Sequence, residues 1–147
     1  MGLCIVYIDQ ITIWDENTYS LVHEHQLAYD DFDITDAIFD GKGRRIALKG
    51  DSGIRIIDIY KQQELWRLNF NSIKNINSNE YKNSQFLITM NSEDNPEEPT
   101  DALLVFNFKS QRPLKVLKFS QNDPITSADY ISLPSLESPS ICCITQK

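Results

Sequence analysis

The side chains of this chain that could do chemistry fall into four small groups. His23-Glu24-His25 sets two imidazoles at i and i+2, on one side of an extended segment, where two nitrogens can share a metal ion. No third ligand stands nearby, and zinc sites take three or four, so the pair reads as two strand residues facing solvent or an interface and no metal is expected. Cys142-Cys143 lies in the apolar run Ile141 to Ile144, which predicts buried, inert thiols rather than a nucleophile. Gly41-Lys42-Gly43 and Gly50-Asp51-Ser52-Gly53 are glycine turns, too short and wrongly flanked to cradle a nucleotide phosphate. Lys42, Arg44, Arg45 and Lys49 cluster around the first of these turns. That cluster has the chemistry of an interaction patch for a nucleic-acid backbone or an acidic partner; the plainer reading is a solvated loop flanked by positive charge. No catalytic residue, cofactor-binding residue or cofactor is identified.

Charge narrows the partners. The formal net charge is −7 over 147 residues, which argues against bulk phosphate binding and confines any RNA contact to the local basic cluster. The stretch Asn91 to Asp101 (NSEDNPEEPTD) holds two prolines and five carboxylates. It cannot bury enough apolar surface to order itself and is expected to be a disordered loop, or else a docking segment for a basic partner. Three cysteines form no disulfide framework. With no signal peptide at Met1-Gly2-Leu3-Cys4 and no apolar run of about 18 residues, the chain is expected to be intracellular, nuclear/nucleolar or cytoplasmic, without a membrane partner.

The elements that must position these groups are strands. Ile34 to Phe39 alternates, and strict alternation puts Ile34, Asp36 and Ile38 on one face and Ala37 and Phe39 on the other. After the Asp40-Gly41-Lys42-Gly43 turn, Arg45-Ile46-Ala47-Leu48 is a short apolar run of the kind buried on both faces. Ile54 to Tyr60 is dense in β-branched residues, and Glu64 to Phe70 gives a fourth strand with Leu65, Trp66, Leu68 and Phe70. Phe39, Ile46, Leu48, Ile56 and Trp66 are the core candidates of this unit.

The unit recurs. Cys4 to Ile8, Ile11 to Asp15 and Tyr19 to Gln26 match its second, third and fourth strands. Gln85 to Thr89, Ala102 to Phe108 and Leu114 to Phe119 match them again downstream, and Ile125 to Tyr130 opens a further copy that ends with Ile141 to Ile144. Trp14-Asp15, Ile57-Asp58 and Phe106-Asn107 stand at equivalent places, closing the third strand of each copy. Four-stranded units of about 40–45 residues with such a pair resemble WD-repeat (WD40-like) blades of a β-propeller. The middle unit adds the small-x-aromatic first strand (Ala37, Phe39) and the Asp-Ser-Gly turn (Asp51 to Gly53) of that family. No Gly-His pair precedes any unit and only Trp14-Asp15 is a true Trp-Asp, so the resemblance implies degenerate repeats without the family's His, Asp, Ser/Thr and Trp tetrad.

The resemblance implies an all-β chain of antiparallel four-stranded blades. The expected divisions are 1–30 (partial blade), 31–72 (blade), 73–120 (blade with acidic loop 91–101) and 121–147 (partial blade). A little over three blades is fewer than a closed propeller uses, so the chain is expected to be part of a larger propeller, completed by missing blades in cis or in trans. A compact β-sandwich or barrel is the alternative. The implied function is a non-enzymatic protein-interaction scaffold in a subunit of a multiprotein complex. Degenerate repeats in an Asn- and Ile-rich chain resemble ribosome-assembly subunits of the small-subunit processome, which act in pre-rRNA processing; vesicle-coat and chromatin complexes use similar blades, and the resemblance does not choose among them. A propeller-type hydrolase with a channel site is the alternative, and it would require carboxylates or histidines in register at the strand starts.

Overall fold

A computed structural model describes residues 2–7, 9–27, 32–70, 72–79, 84–92, 100–119, 124–131 and 140–145. All regular structure among them is β-strand. Strands β1 (Gly2–Val6), β2 (Gln10–Asp15) and β3 (Leu21–Gln26) form one antiparallel sheet in the order β1-β2-β3. The second sheet takes β4 (Ile34–Phe39), β5 (Arg45–Gly50), β6 (Gly53–Asp58) and β7 (Gln63–Asn69) in chain order. The third takes β8 (Ile73–Ser78), β9 (Gln85–Ser92), β10 (Thr100–Asn107) and β11 (Ser110–Lys118), and the last pairs β12 (Ile125–Ile131) with β13 (Ser140–Thr145). Every pairing is antiparallel between neighbours in sequence, which short hairpins permit. This is the all-β antiparallel class that the repeats predict, and among the described residues no sheet closes into a barrel.

The sheets stack face to face in chain order, and the alternation of side chains along each strand makes the stack cohere. β6 is buried along its whole length. Its Ile54 and Ile56 join Ala47 and Trp66 against Phe86, Ile88, Leu104, Phe106 and Phe108 of the third sheet. Its Ile57 faces the other way, joining Ile46 and Leu48 against Ile11 of the first sheet and Phe32. β9 and β10 repeat the arrangement, with Leu87, Leu103 and Val105 turned to Ile125 and Ala128 of the fourth sheet. A strand buried on both faces therefore serves two cores at once. Of the core candidates, Ile46, Leu48 and Ile56 are fully buried and Trp66 is 9% exposed. Phe39 is only half-buried, packed at the margin of the core that faces the first sheet.

Strict alternation fails in β4. Ile34 packs with Ala37 and Phe39 rather than with Ile38, which lies on the opposite core. The pairing runs Ile34↔Gly50 and then Asp36↔Lys49, so Thr35 is an extra residue. A bulge of this kind flips the facing of everything beyond it.

The acidic stretch also needs correction at its ends. Asn91 and Ser92 belong to β9, and Thr100 and Asp101 to β10, where they pair with each other. Asp101 is 8% exposed; its Oδ2 lies 2.8 Å from Lys74 Nζ and accepts the Ile125 N–H at 2.6 Å. One of the five carboxylates is thus a structural link between sheets. Residues 93–99, the centre of the expected loop, lie outside the described residues.

Candidate functional site

The basic turn between β4 and β5 is held by a single carboxylate. Asp40 donates its backbone N–H to the Arg45 carbonyl (2.9 Å), and Gly43 donates to the Asp40 carbonyl (2.9 Å). Gly43 sits at φ +62°, where glycine meets no steric cost. Asp40 Oδ1 accepts the N–H groups of Arg44 (2.8 Å) and Arg45 (3.1 Å), a side-chain brace typical of Asp at the head of a turn. Its other oxygen lies 3.5 Å from Arg45 Nη1. Arg44 turns to the next hairpin, where its Nε donates to Asp58 Oδ2 at 3.1 Å.

Asp58 is buried, which by itself would raise its pKa. The Lys61 N–H, donated to Oδ1 at 3.2 Å, and the Arg44 guanidinium outweigh that cost and hold the carboxyl below its ordinary 3.8.

These contacts surround a depression of about 300 Å³ lined by Asp40, Lys42, Arg44, Arg45, Ser84 and Lys109. The structure therefore assembles Lys42, Arg44 and Arg45 as the sequence suggests, and adds Lys109 and Ser84 from the third sheet's turns. Lys49 does not belong to it. Its Nζ donates to the Lys74 carbonyl at 3.0 Å and fastens β5 to β8, while Lys74 continues the chain of contacts to Asp101 and the Ile125 carbonyl. The length of β5 separates them: Lys49 stands near the end of the strand, away from the turn that starts it. Lys109 was legible only through the repeat, since it follows Asn107 in the hairpin equivalent to that of Asp58; nothing in sequence marks Ser84.

The recurring Trp-Asp place has a structural explanation. Asp15 Oδ1 accepts the N–H groups of Asn17 (2.8 Å) and Thr18 (2.9 Å), Asp58 Oδ1 accepts that of Lys61, and Asn107 Oδ1 accepts that of Lys109 (2.8 Å). In each copy the side chain ending the third strand closes the turn into the fourth. The two tryptophans, which stand at different places in their units, share no such duty. Trp14 Nε1 donates within its own sheet to Thr12 Oγ1 at 3.0 Å, whereas Trp66, one strand later in its unit, donates across sheets to the Phe108 carbonyl at 3.0 Å.

The other chemical candidates resolve as structure. His23 Nε2 lies 2.7 Å from the Ile59 carbonyl and its ring lies 5.9 Å from that of Tyr60. His25 is buried, and burial followed by the neighbouring His23 pushes its pKa below 6.5. Among the described residues no three His, Cys, Asp or Glu side chains group as metal ligands. The thiols differ from expectation: Cys142 is exposed and Cys143 half-buried, because β13 has one face on the third core and one outside. Burial raises the pKa of Cys143, and Cys4 is pushed up to about 11 by burial. A larger hollow of about 430 Å³ runs between β7 and the third sheet, lined in part by Leu68, Phe70, Met90, Leu104 and Val116.

No family model matches the chain, and no curated protein matches it in sequence. Solved structures do resemble it. The WD40 domain of Toxoplasma gondii coronin superposes over 88% of this chain with a TM-score of 0.59 at 10% identity. The fold is that of WD40-type propeller sheets. Hsv2 from K. marxianus (TM-score 0.55, 11% identity) aligns with 95% of the chain, and the acylaminoacyl peptidase of Pyrococcus horikoshii (TM-score 0.57, 12% identity) with 93%. The chain spans 33% of the coronin domain's length, 46% of Hsv2 and 24% of the peptidase. At these identities the likeness concerns fold alone, and the fold serves a peptidase as well as a WD40 domain.

Proposed function

We propose that this chain is part of a non-enzymatic protein-interaction scaffold, the propeller portion of a subunit in a large intracellular assembly. One observation carries the reading. Side chains from separate turns of two sheets converge on a preformed basic depression in a chain whose net charge is −7. The carboxylates that recur in register, Asp15 and Asp58, close hairpin turns rather than pointing together at a shared centre. An enzyme of this architecture would need such a centre.

The particular assembly we favour is the ribosome-assembly machinery that processes pre-rRNA, in the nucleus or nucleolus. Its support is the likeness of these degenerate, Asn- and Ile-rich repeats to subunits of the small-subunit processome. Other blades, in cis or in trans, would complete the propeller. The test is affinity capture with the tagged chain, followed by mass spectrometry and by assays with generic ester and peptide substrates. Stoichiometric recovery of ribosome-assembly proteins without turnover is the expected result. Turnover by the purified chain would overturn the scaffold reading, and recovery of an unrelated complex would overturn the assignment to ribosome assembly.

A further inference from the structure

We propose that the depression at the β4–β5 turn binds the phosphate of a phosphorylated side chain on a partner protein. The proposal rests on the scaffold reading and gives its partner a chemistry. Four cations line the site, Lys42, Arg44, Arg45 and Lys109. Two of them already face carboxylates: Arg45 faces Asp40 and Arg44 faces Asp58. Lys42 and Lys109 have no carboxylate partner among the described residues, which leaves two positive charges to be matched. A phosphate monoester carries close to two negative charges at neutral pH and presents several acceptor oxygens.

The donors suit that group. Arg44 uses only Nε on Asp58, and its side chain is 45% exposed. Arg45 lines the site as well, with its Nη1 3.5 Å from Asp40 Oδ2. Ser84 lines the same wall. The turn needs no rearrangement to receive an anion, because Asp40 already fixes both arginine N–H groups. About 300 Å³ is room for a phosphorylated side chain and its flanking backbone. A polyanion or an anionic membrane would set many charges against a chain of net charge −7, and long-range repulsion would oppose it. A single dianionic group needs only the local field, which over about 8–10 Å is not screened away.

The test titrates the full chain with a short neutral peptide carrying one phosphoserine, its unphosphorylated twin and its glutamate twin, by fluorescence anisotropy. Vesicles of phosphatidylcholine with phosphoinositide, and inorganic phosphate, complete the set. The phosphopeptide should bind at least about tenfold more tightly than either twin, and weaken as salt rises. Lys42→Gln combined with Lys109→Gln should lower that affinity by at least about tenfold, since each removes a charge-assisted contact. Both residues are exposed, and the thermal melt of the double variant should be unchanged; Lys115→Gln on the exposed β11 is the control.

Equal binding of the three peptides, no binding, or an unaltered affinity in the double variant overturns the proposal. Pocket-dependent binding of the vesicles or of inorganic phosphate alone overturns it in favour of a lipid headgroup or the free ion. A captured protein partner indifferent to phosphatase and to the double variant would sink this proposal and leave the scaffold reading standing. Phosphopeptide binding with no captured partner would do the reverse.

Discussion

Asp101 and Lys74, both on the third sheet, hold it to the fourth through a few atoms. The carboxylate faces the Lys74 ammonium and accepts the Ile125 N–H, and Lys74 in turn donates to the Ile125 carbonyl. Asp101→Asn keeps the shape but removes the charge and turns one acceptor into a donor, and it should cost about 1–3 kcal/mol, read from the urea midpoint. A cost near zero would show that the link is solvated and dispensable. Two further residues set the pH dependence. Burial and then the His23 charge push the His25 pKa below its ordinary 6.5. Burial opposes ionisation of Asp58, but the Lys61 N–H and Arg44 hold its value below 3.8. In both cases the unfolded state takes up the proton first on acidification, so stability rises with pH across each window. It should be full above about pH 6.5, fall as the pH drops through the folded value of His25, and fall again below 3.8 through that of Asp58. His25→Gln should remove the upper limb of a urea-midpoint profile, and Asp58→Asn should shrink the lower one, to which Asp15, held below 3.8 by the Thr18 and Asn17 N–H groups, also contributes.

β7 shows how an element near the outside of one sheet joins it to the next. Trp66 packs at 5.9 Å from the Phe106 ring and 6.3 Å from that of Phe86, and donates to the Phe108 carbonyl. Trp66→Ala should cost about 3–5 kcal/mol in denaturant unfolding, because it opens a cavity between two sheets. Trp66→Phe should cost far less, about 1–2 kcal/mol, since most of the packing stays and only the hydrogen bond is lost. Equal costs for the two would mean the indole N–H, not the packing, does the holding. The β6–β7 hairpin pair depends on Gly53 in a different way. At φ +142° it has the Leu68 carbonyl oxygen where a Cβ would stand. Gly53→Ala must push β7 away from β6 and should destabilise by more than about 1 kcal/mol. An unchanged melt would show that the pair separates there without loss.

Across the whole molecule the stack of sheets sets a gradient of stability. β6 and β10 are central in their sheets and lie between two cores, whereas β11 is an edge strand exposed along most of its length, with Leu114, Val116 and Leu117 half open to water. Native-state hydrogen exchange should therefore find the amides of β5, β6, β9 and β10 opening only near the global free energy, with β3, β11 and β13 exchanging first. Protection spread evenly over centre and edge strands would mean the sheets open as one unit. The same stack explains why the basic depression exists: the β4–β5 turn belongs to one sheet, Ser84 and Lys109 to the next, and only their packing brings the charges within one site.

Strand identity was legible in the sequence because side-chain alternation and glycine turns are local. Ile46, Leu48 and Ile56 announced a core, and the recurring Asp15, Asp58 and Asn107 announced equivalent hairpins, since each closes its turn with neighbours two or three residues away. What escaped was decided by contacts between distant segments. The bulge at Thr35 depends on where β5 pairs, so no pattern within β4 could reveal it. Asp101 looked like one more charge in an acidic run until β8 and β12 supplied Lys74 and the Ile125 N–H. Lys49 looked like part of a patch because sequence counts charges by proximity, while the strand carries it to the far end of the hairpin and onto the Lys74 carbonyl. Local physics chose the strands, and the stacking of sheets chose which charges meet.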